Sequence, residues 1–574
     1  MALTVFDWLV VAAFFVASTV VGLLFTRRAG KSVAEYFTAG RSLPWWLAGT
    51  SMVATTFAAD TPLAVTGLVA AHGIAGNWVW WNMVAGGMLT VFFYARLWQR
   101  AGVKTDAELT ELRYAGRPAA LLRAFRAVYL ALPINLIIIG WVNLAMVKVL
   151  EVMLGVHPFT GMLALFALTV LYSSLSGLWG VVVTDFFQFL LAMGGCIVLA
   201  FFAVDAVGGL DALVAKTPSR SLELFPSDTT WMPVTVMLSY LAVSWWASWY
   251  PGSEPGGGGY VAQRIFASKS ERDGMLATLW FTIAHYAVRP WPWILTALAA
   301  GILYPNLKDP GVGFVEAIAL LPSGLKGLLL ASFAAAYMST LSTQLNWGTS
   351  YLVNDLIARF TRVPEARLVR ASRLITAVLF LLSAGSTYAL YRVGSVDAAW
   401  RVLIALGAGT GPVYLLRWYW WRVNAWSEIS AMGFSLVSFV ALTVSGVFDP
   451  SDTVDGAHLM VVNTAITTVG WVAVTFLTQP EPEAHLKAFH ARVHPGGPGW
   501  ARIAPAAPIE GGWRAGVSWL GGILGVYGAL FGVGRLLLGP RAEAVPFLIA
   551  MVVGFVLVAR MQRSEQPQAG EQKV

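Results

Sequence analysis

The chain has 574 residues, 57% of them hydrophobic and 12% charged, with a formal net charge of +8. A water-solvated globular surface carries about a quarter charged residues, so most of this surface faces something other than water. The excess Lys and Arg lie in loops between apolar runs, which is the pattern that orients membrane helices and not a nucleic-acid interface, and a lone Cys196 excludes an intramolecular disulfide or a cysteine metal cluster.

Apolar runs long enough to cross ~30 Å of hydrocarbon recur at 5–25, 44–72, 77–98, 122–152, 158–176, 180–205, 230–251, 274–303, 313–356, 370–393, 397–421, 427–447, 458–478, 516–538 and 543–562. The first carries Asp7, lacks a basic flank before it and is followed by Arg27, Arg28 and Lys31, so it reads as a retained helix and not a signal peptide. About fifteen crossings put the termini on opposite sides. Alternate connections hold the cations: Arg27 to Arg41, Arg100 to Arg126, Arg264 to Arg272, Arg359 to Arg370, Arg417 and Arg422, Lys487 to Arg502, and Arg560 with Arg563. The positive-inside rule then sets the N-terminus outside and the C-terminus in the cytoplasm of a bacterial inner membrane.

The second span contains Ala54-Thr55-Thr56-Phe57-Ala58-Ala59-Asp60-Thr61-Pro62. Pro62 removes a backbone donor and disfavours helix at Thr61, which frees upstream carbonyls for a cation. Asp60 at membrane depth reads as a functional carboxylate; the alternative is a shorter span with Asp60 at its outer end. Trp45-Trp46, Trp80-Trp81 and Trp418-Trp420-Trp421 fall at span ends and read as an interfacial belt. In the sixth span Asp185 and Gln188, three residues apart, can face one aqueous vestibule; the alternative is a carboxylate complementing a helix N-terminus.

His285 and Arg289, beside Pro290 and Pro292, lie inside the span at 274–303. They either line a solute path or form a buried structural pair, with Glu254 or Asp60 as partners. In the span at 313–356, Ala336, Ser339 and Thr340 share one helical face and offer one carbonyl and two hydroxyls, the hard neutral oxygens that alkali cations take. The alternative is that the hydroxyls bond back one turn or mediate helix packing.

These segments are joined by Tyr36-Phe37 with Ala39-Gly40-Arg41-Ser42-Leu43-Pro44, by Gly177-Leu178 through Thr184-Asp185 and Gln188, and by Tyr260-Val261-Ala262-Gln263-Arg264 with Ala267-Ser268-Lys269. Met338-Ser339-Thr340-Leu341-Ser342 with Asn346, and Trp421-Arg422-Val423-Asn424 before Ser427-Glu428, complete the series. In this order the sequence resembles the sodium:solute symporter family, from about Phe6 to Glu428. The resemblance implies an all-α polytopic membrane protein with a LeuT-like inverted repeat of two five-helix units, one extra helix before it and about four after. The implied layout is a leading helix and cytoplasmic loop at 1–43, a transporter core at 44–426, and additional helices at 427–574 with a cytoplasmic loop at 479–514.

The resemblance further implies a sodium site of backbone carbonyls at Ala54 and Phe57 with Ala336, Ser339 and Thr340, and a supporting ion path at Asp185. Candidate solute contacts are Thr56, Asp60, Thr61, Gly259, Tyr260 and His285. Sugar-transporting members carry an amide pair where this chain has Gly258-Gly259, and 251–257 looks like an insertion, either an unwound helix beside the solute or a cytoplasmic loop. Glu254 within it is a possible gate. The expected activity is sodium-coupled import of a small polar solute by alternating access, with lipid as the other partner. Proton coupling through Asp60, Asp185 and His285, or a non-transporting sensor, are the alternatives; no Walker motif, metal cluster or nucleophile elbow suggests an enzyme.

Overall fold

The computed structural model describes residues 1–29, 31–155, 157–246, 256–393, 407–450, 452–505 and 507–563. Glu254 with the rest of 251–255, and the first half of the crossing expected at 397–421, lie outside the described residues. Among the described residues the secondary structure is helical, apart from one isolated bridge between Leu43 and Ser268. Nine helices among the described residues are long and apolar enough to cross a membrane, and one pair bent by 58°, Trp45–Thr56 with Asp60–His72, makes up to ten if it is one broken span.

The elements that position the site are α1 (Val5–Ala29), α2 (Trp45–Thr56), α3 (Asp60–His72), α4 (Asn135–Leu154), α5 (Pro158–Val207), α6 (Gly259–Ala267), α7 (Glu271–Ile283), α8 (Pro290–Leu303), α9 (Leu325–Ser350), α10 (Glu365–Val393), α11 (Ala425–Val444), α12 (Thr453–Leu477), α13 (Gly512–Leu538) and α14 (Arg541–Arg563). The most apolar window of α9 is 94% buried, against 17% for α1 and α14. α9 is therefore the axis of the bundle, packed by α5, α1, α4, α10 and α2, while α1 and α14 meet lipid.

Several expected spans differ in detail. The runs at 158–176 and 180–205 meet at Gly177, whose φ of 58° and ψ of −167° turn α5; a side chain is strained in that backbone region. The expected span at 313–356 splits, because Pro322 cannot donate to a helix ladder and Gly324 adopts φ 87°. Short helical turns over 310–320 precede the split, and α9 starts at Leu325. The span at 274–303 is α7 and α8 joined by a π-turn at Ala284–Val288, where Arg289 N donates to Ala284 O at 3.2 Å. Pro290 and Pro292 follow it. Such turns insert one residue and re-aim the side chains around them.

The C-terminal hairpin is held by glycine. A Cβ at Gly528 would lie 2.4 Å from Met551 N and 2.6 Å from Phe547 O, whereas one at Gly516 would meet nothing within 4 Å. With no water to expel, membrane helices gain from such close backbone approach. α13 is tied to the core by Tyr527 Oη donating to Trp81 O at 2.9 Å and by Trp291 Nε1 donating to Leu530 O at 2.9 Å. Gly528→Leu is expected to overpack the hairpin by about 1–3 kcal/mol. Its unfolding midpoint should fall in detergent while that of Gly516→Leu stays near wild type; equal midpoints would show the contact to be slack.

The connection at 479–514 folds back on the cation-rich end. It carries a helix, Glu483–Val493, and the buried Trp500. Arg113 stacks on Phe489 and Trp500 at 5.3 and 5.1 Å and donates to Arg417 O at 2.7 Å. Arg100 joins Glu510 and Glu271 at 2.7 and 2.8 Å. The cation-bearing loops grouped by the sequence therefore gather at one end of the bundle. Arg113, Arg126, Arg264 and Arg417 are buried there, not solvated.

Candidate ion and solute site

α2 ends at Thr56 and α3 starts at Asp60, with Phe57 at φ −92° and ψ 68° between them. Pro62 sits in the first turn of α3, where a missing N–H goes unnoticed. The break thus falls upstream, at 57–59, and strips the last carbonyls of α2 of their usual i+4 donors. One is recovered from α9, since Thr340 Oγ1 donates to Thr55 O at 2.7 Å and, more weakly, to its own Ala336 O at 3.2 Å. The back-bond within α9 and the contact across to the break therefore coexist.

Ser339 Oγ donates to Asp185 Oδ1 at 2.8 Å. Ser339 and Thr340 thus each give their proton to an oxygen and keep lone pairs for another partner. That is the state a hydroxyl needs in order to ligate a cation. Ala336, Ser339 and Thr340 are all buried, as are Ala54 and Phe57.

Asp185 does not line an aqueous vestibule: it is 0% exposed, because α2, α6 and α9 close over it. Ser51 Oγ donates to its Oδ2 at 2.5 Å, and Arg264 Nη2 lies 3.7 Å away. Arg264 also donates to Ser51 Oγ at 3.2 Å, Gln263 Oε1 at 2.8 Å and Thr343 Oγ1 at 2.7 Å. The result is an ion pair knotting four helices. Sequence reasoning missed Arg264, taking it for a loop cation. The signal was its setting within Val261, Ala262, Ile265 and Phe266, which no solvated loop would carry.

On the other side of the break, Thr56 Oγ1 lies 3.0 Å from His285 Nδ1 and accepts from Arg289 Nη1 at 2.9 Å. Arg289 also donates to Val53 O at 3.3 Å and to His285 Nδ1 at 2.8 Å, and it stacks on Trp293 at 5.2 Å. His285 is therefore held by Arg289 and Thr56, not by Asp60. Its ring meets Trp80 edge-on at 5.7 Å. Trp80, Trp81 and Trp418 are buried, and of the expected belt only Trp45 and Trp46 are exposed. Apolar sequence on both sides of Trp80 cannot distinguish a span end from a core.

Asp60 is 2% exposed and its Oδ1 has no hydrogen-bond partner. Thr61 Oγ1 reaches Thr56 O at 3.4 Å. Gly259 opens α6 elsewhere: its N–H donates to Asp106 Oδ2 at 3.2 Å, and Tyr351 donates to the same carboxylate. Tyr351 lies about 16 Å along the helix from Thr340 at 1.5 Å per residue, so Gly259 belongs with the cation-rich end. Tyr260 follows it, fully buried.

A model of the sodium:solute symporter family matches residues 36–433. The chain belongs to the sodium:solute symporter family. With membership comes the coarse activity, sodium-coupled solute symport. This symporter is 24% identical over 556 residues to the mouse sodium/glucose cotransporter 1, covering 84% of this chain and 80% of the relative. It is 25% identical over 425 residues to the Vibrio parahaemolyticus sodium/glucose cotransporter, covering 69% and 76%. The fold of a sodium-coupled sialic acid symporter superposes with a TM-score of 0.67 at 18% identity, over 83% of this symporter and 99% of that chain.

Proposed function

We propose that this symporter imports a small polar organic solute by alternating access, driven by a sodium ion bound where the broken span meets α9. The ion takes the carbonyls of Ala54 and Phe57 and the oxygens of Ala336, Ser339 and Thr340. Asp185 orients Ser339 and stands on the ion's route. The observation that supports this most is the hydrogen bond from Thr340 to Thr55 O, which docks the hydroxyl face of α9 onto the interrupted backbone. The core is an inverted repeat of two five-helix units, the architecture that gives rise to such broken helices. The solute lies on the opposite side of the break, against Thr56, Asp60, Thr61 and His285, with Gly259 and Tyr260 toward the cation-rich, cytoplasmic end. The N-terminus is then outside and the C-terminus cytoplasmic in a bacterial inner membrane.

In proteoliposomes, an inward sodium gradient should drive uptake of the cognate solute, and an equal potassium gradient should not. Ser339→Ala/Thr340→Ala removes two ligands, each worth about 1–3 kcal/mol when buried, so uptake at fixed sodium should fall at least tenfold. Uptake that survives the double substitution, or that a proton gradient drives alone, would overturn the assignment.

A further inference from the structure

The proposed solute site contains a buried carboxylate oxygen with no hydrogen-bond partner. Asp60 stands in the first turn of α3, 2% exposed, and its Oδ1 has no hydrogen-bond partner. Among the described residues no Lys, Arg or His comes within ion-pair distance of this carboxylate. The nearest guanidinium, Arg289, spends its N–H groups on His285, Val53 and Thr56. An ionised carboxylate buried with an open oxygen is costly, and the N-terminal dipole of α3 offsets only part of that cost.

One face of α3 packs inside the bundle. Pro62, Leu63, Val65, Thr66 and Val69 are buried; Leu63 and Thr66 lie against Gly311 and Gly313 of the 310–320 segment. The other face presents Ala64, Gly67 and Ala71 at helical spacing from Asp60. Ala64 and Gly67 are half-buried and Ala71 is exposed, and a Cβ at Gly67 would meet nothing within 4 Å. The face that carries Asp60 is therefore lined by small side chains and is not packed over at Gly67. A charge at membrane depth needs a cavity or a partner.

We propose that the solute carries a protonated amine and that Asp60 Oδ1 accepts its hydrogen bond. An ammonium supplies both what the open oxygen lacks, a donor, and a cation in direct contact with the carboxylate, which Arg289, bonded to His285, Val53 and Thr56, is not. A hydroxyl would supply only the first. The assignment rests on the reading of the helix break as the solute site and narrows it to amine-bearing solutes.

The test uses the purified full chain in saturating sodium, with thermal stabilisation as readout. The probes are three pairs that exchange an amine for a hydroxyl: ethanolamine and ethylene glycol, alanine and lactate, glucosamine and glucose. The amine of at least one pair should stabilise the wild type while its hydroxyl twin does not. Asp60→Asn should weaken that amine on the order of a hundredfold and leave the sodium-induced shift in place, which also shows that the variant is folded. Asp60→Ser replaces it where the Asn variant does not melt cooperatively. Equal binding of the twins, undiminished binding to the Asn variant, or no response to any amine overturns the proposal. A solute that loses binding in His285→Ala but keeps it in Asp60→Asn overturns the amine and preserves the solute site. Indifference to both substitutions overturns the site as well.

Discussion

Asp185→Asn is expected to destabilise the protein by about 3–5 kcal/mol. The substitution keeps the shape of the side chain but leaves the Arg264 guanidinium buried and uncompensated. The asparagine amide would also turn its NH2 toward one of Ser51 and Ser339, both of which already donate to this position. Arg264→Gln should cost a similar amount by stranding the carboxylate. The double variant should cost clearly less than the sum, because two neutral amides can satisfy one another. Thermal or denaturant unfolding of the four members of the cycle measures this. Additive losses would mean that the two groups are not paired. Sodium affinity should fall alongside stability in Asp185→Asn, since Ser339 loses the charged acceptor that turns its lone pairs toward the ion.

Arg289→Met is expected to abolish solute uptake. The guanidinium holds Thr56, Val53 O and His285 in one arrangement, so its loss opens several buried acceptors at about 1–3 kcal/mol each. Val53 O still receives Phe57 N at 3.0 Å and Thr56 Oγ1 at 2.9 Å, so the end of α2 should persist and sodium affinity should change by no more than a few-fold. Arg289→Lys should rescue little, because one ammonium cannot span acceptors on two helices. Uptake kinetics and sodium titration of the two variants separate the effects. A loss of sodium binding as large as the loss of uptake would show that Arg289 serves the ion and not the solute.

The interrupted second span was legible because proline chemistry is local: Pro62 announced a break, although the break sits upstream of it at 57–59. The face formed by Ala336, Ser339 and Thr340 was legible from helical spacing, but spacing could not say what the face meets. Its partners, Thr55 O and Asp185, come from helices remote in sequence. The same limit hid Arg264, whose positive charge argues for a loop until α2, α5 and α9 are seen to close around it. Likewise Trp80 reads as an interfacial residue until His285 is found against its ring. The span at 313–356 was read as one because Pro322 and Gly324 sit within apolar sequence and hydropathy alone does not register a missing donor. Family resemblance supplied the ion-site residues that composition and periodicity left open.

Sodium binding where the broken span meets α9 can be followed by sodium titration of the purified protein without solute, read as a shift in unfolding temperature. Sodium should raise the midpoint progressively with concentration, since a ligand that binds only the folded state stabilises it by mass action. Potassium at equal ionic strength should leave it unchanged, and Ser339→Ala/Thr340→Ala should melt cooperatively without responding to sodium. A wild type indifferent to sodium, or a double variant that responds as fully as the wild type, would contradict the site proposed here.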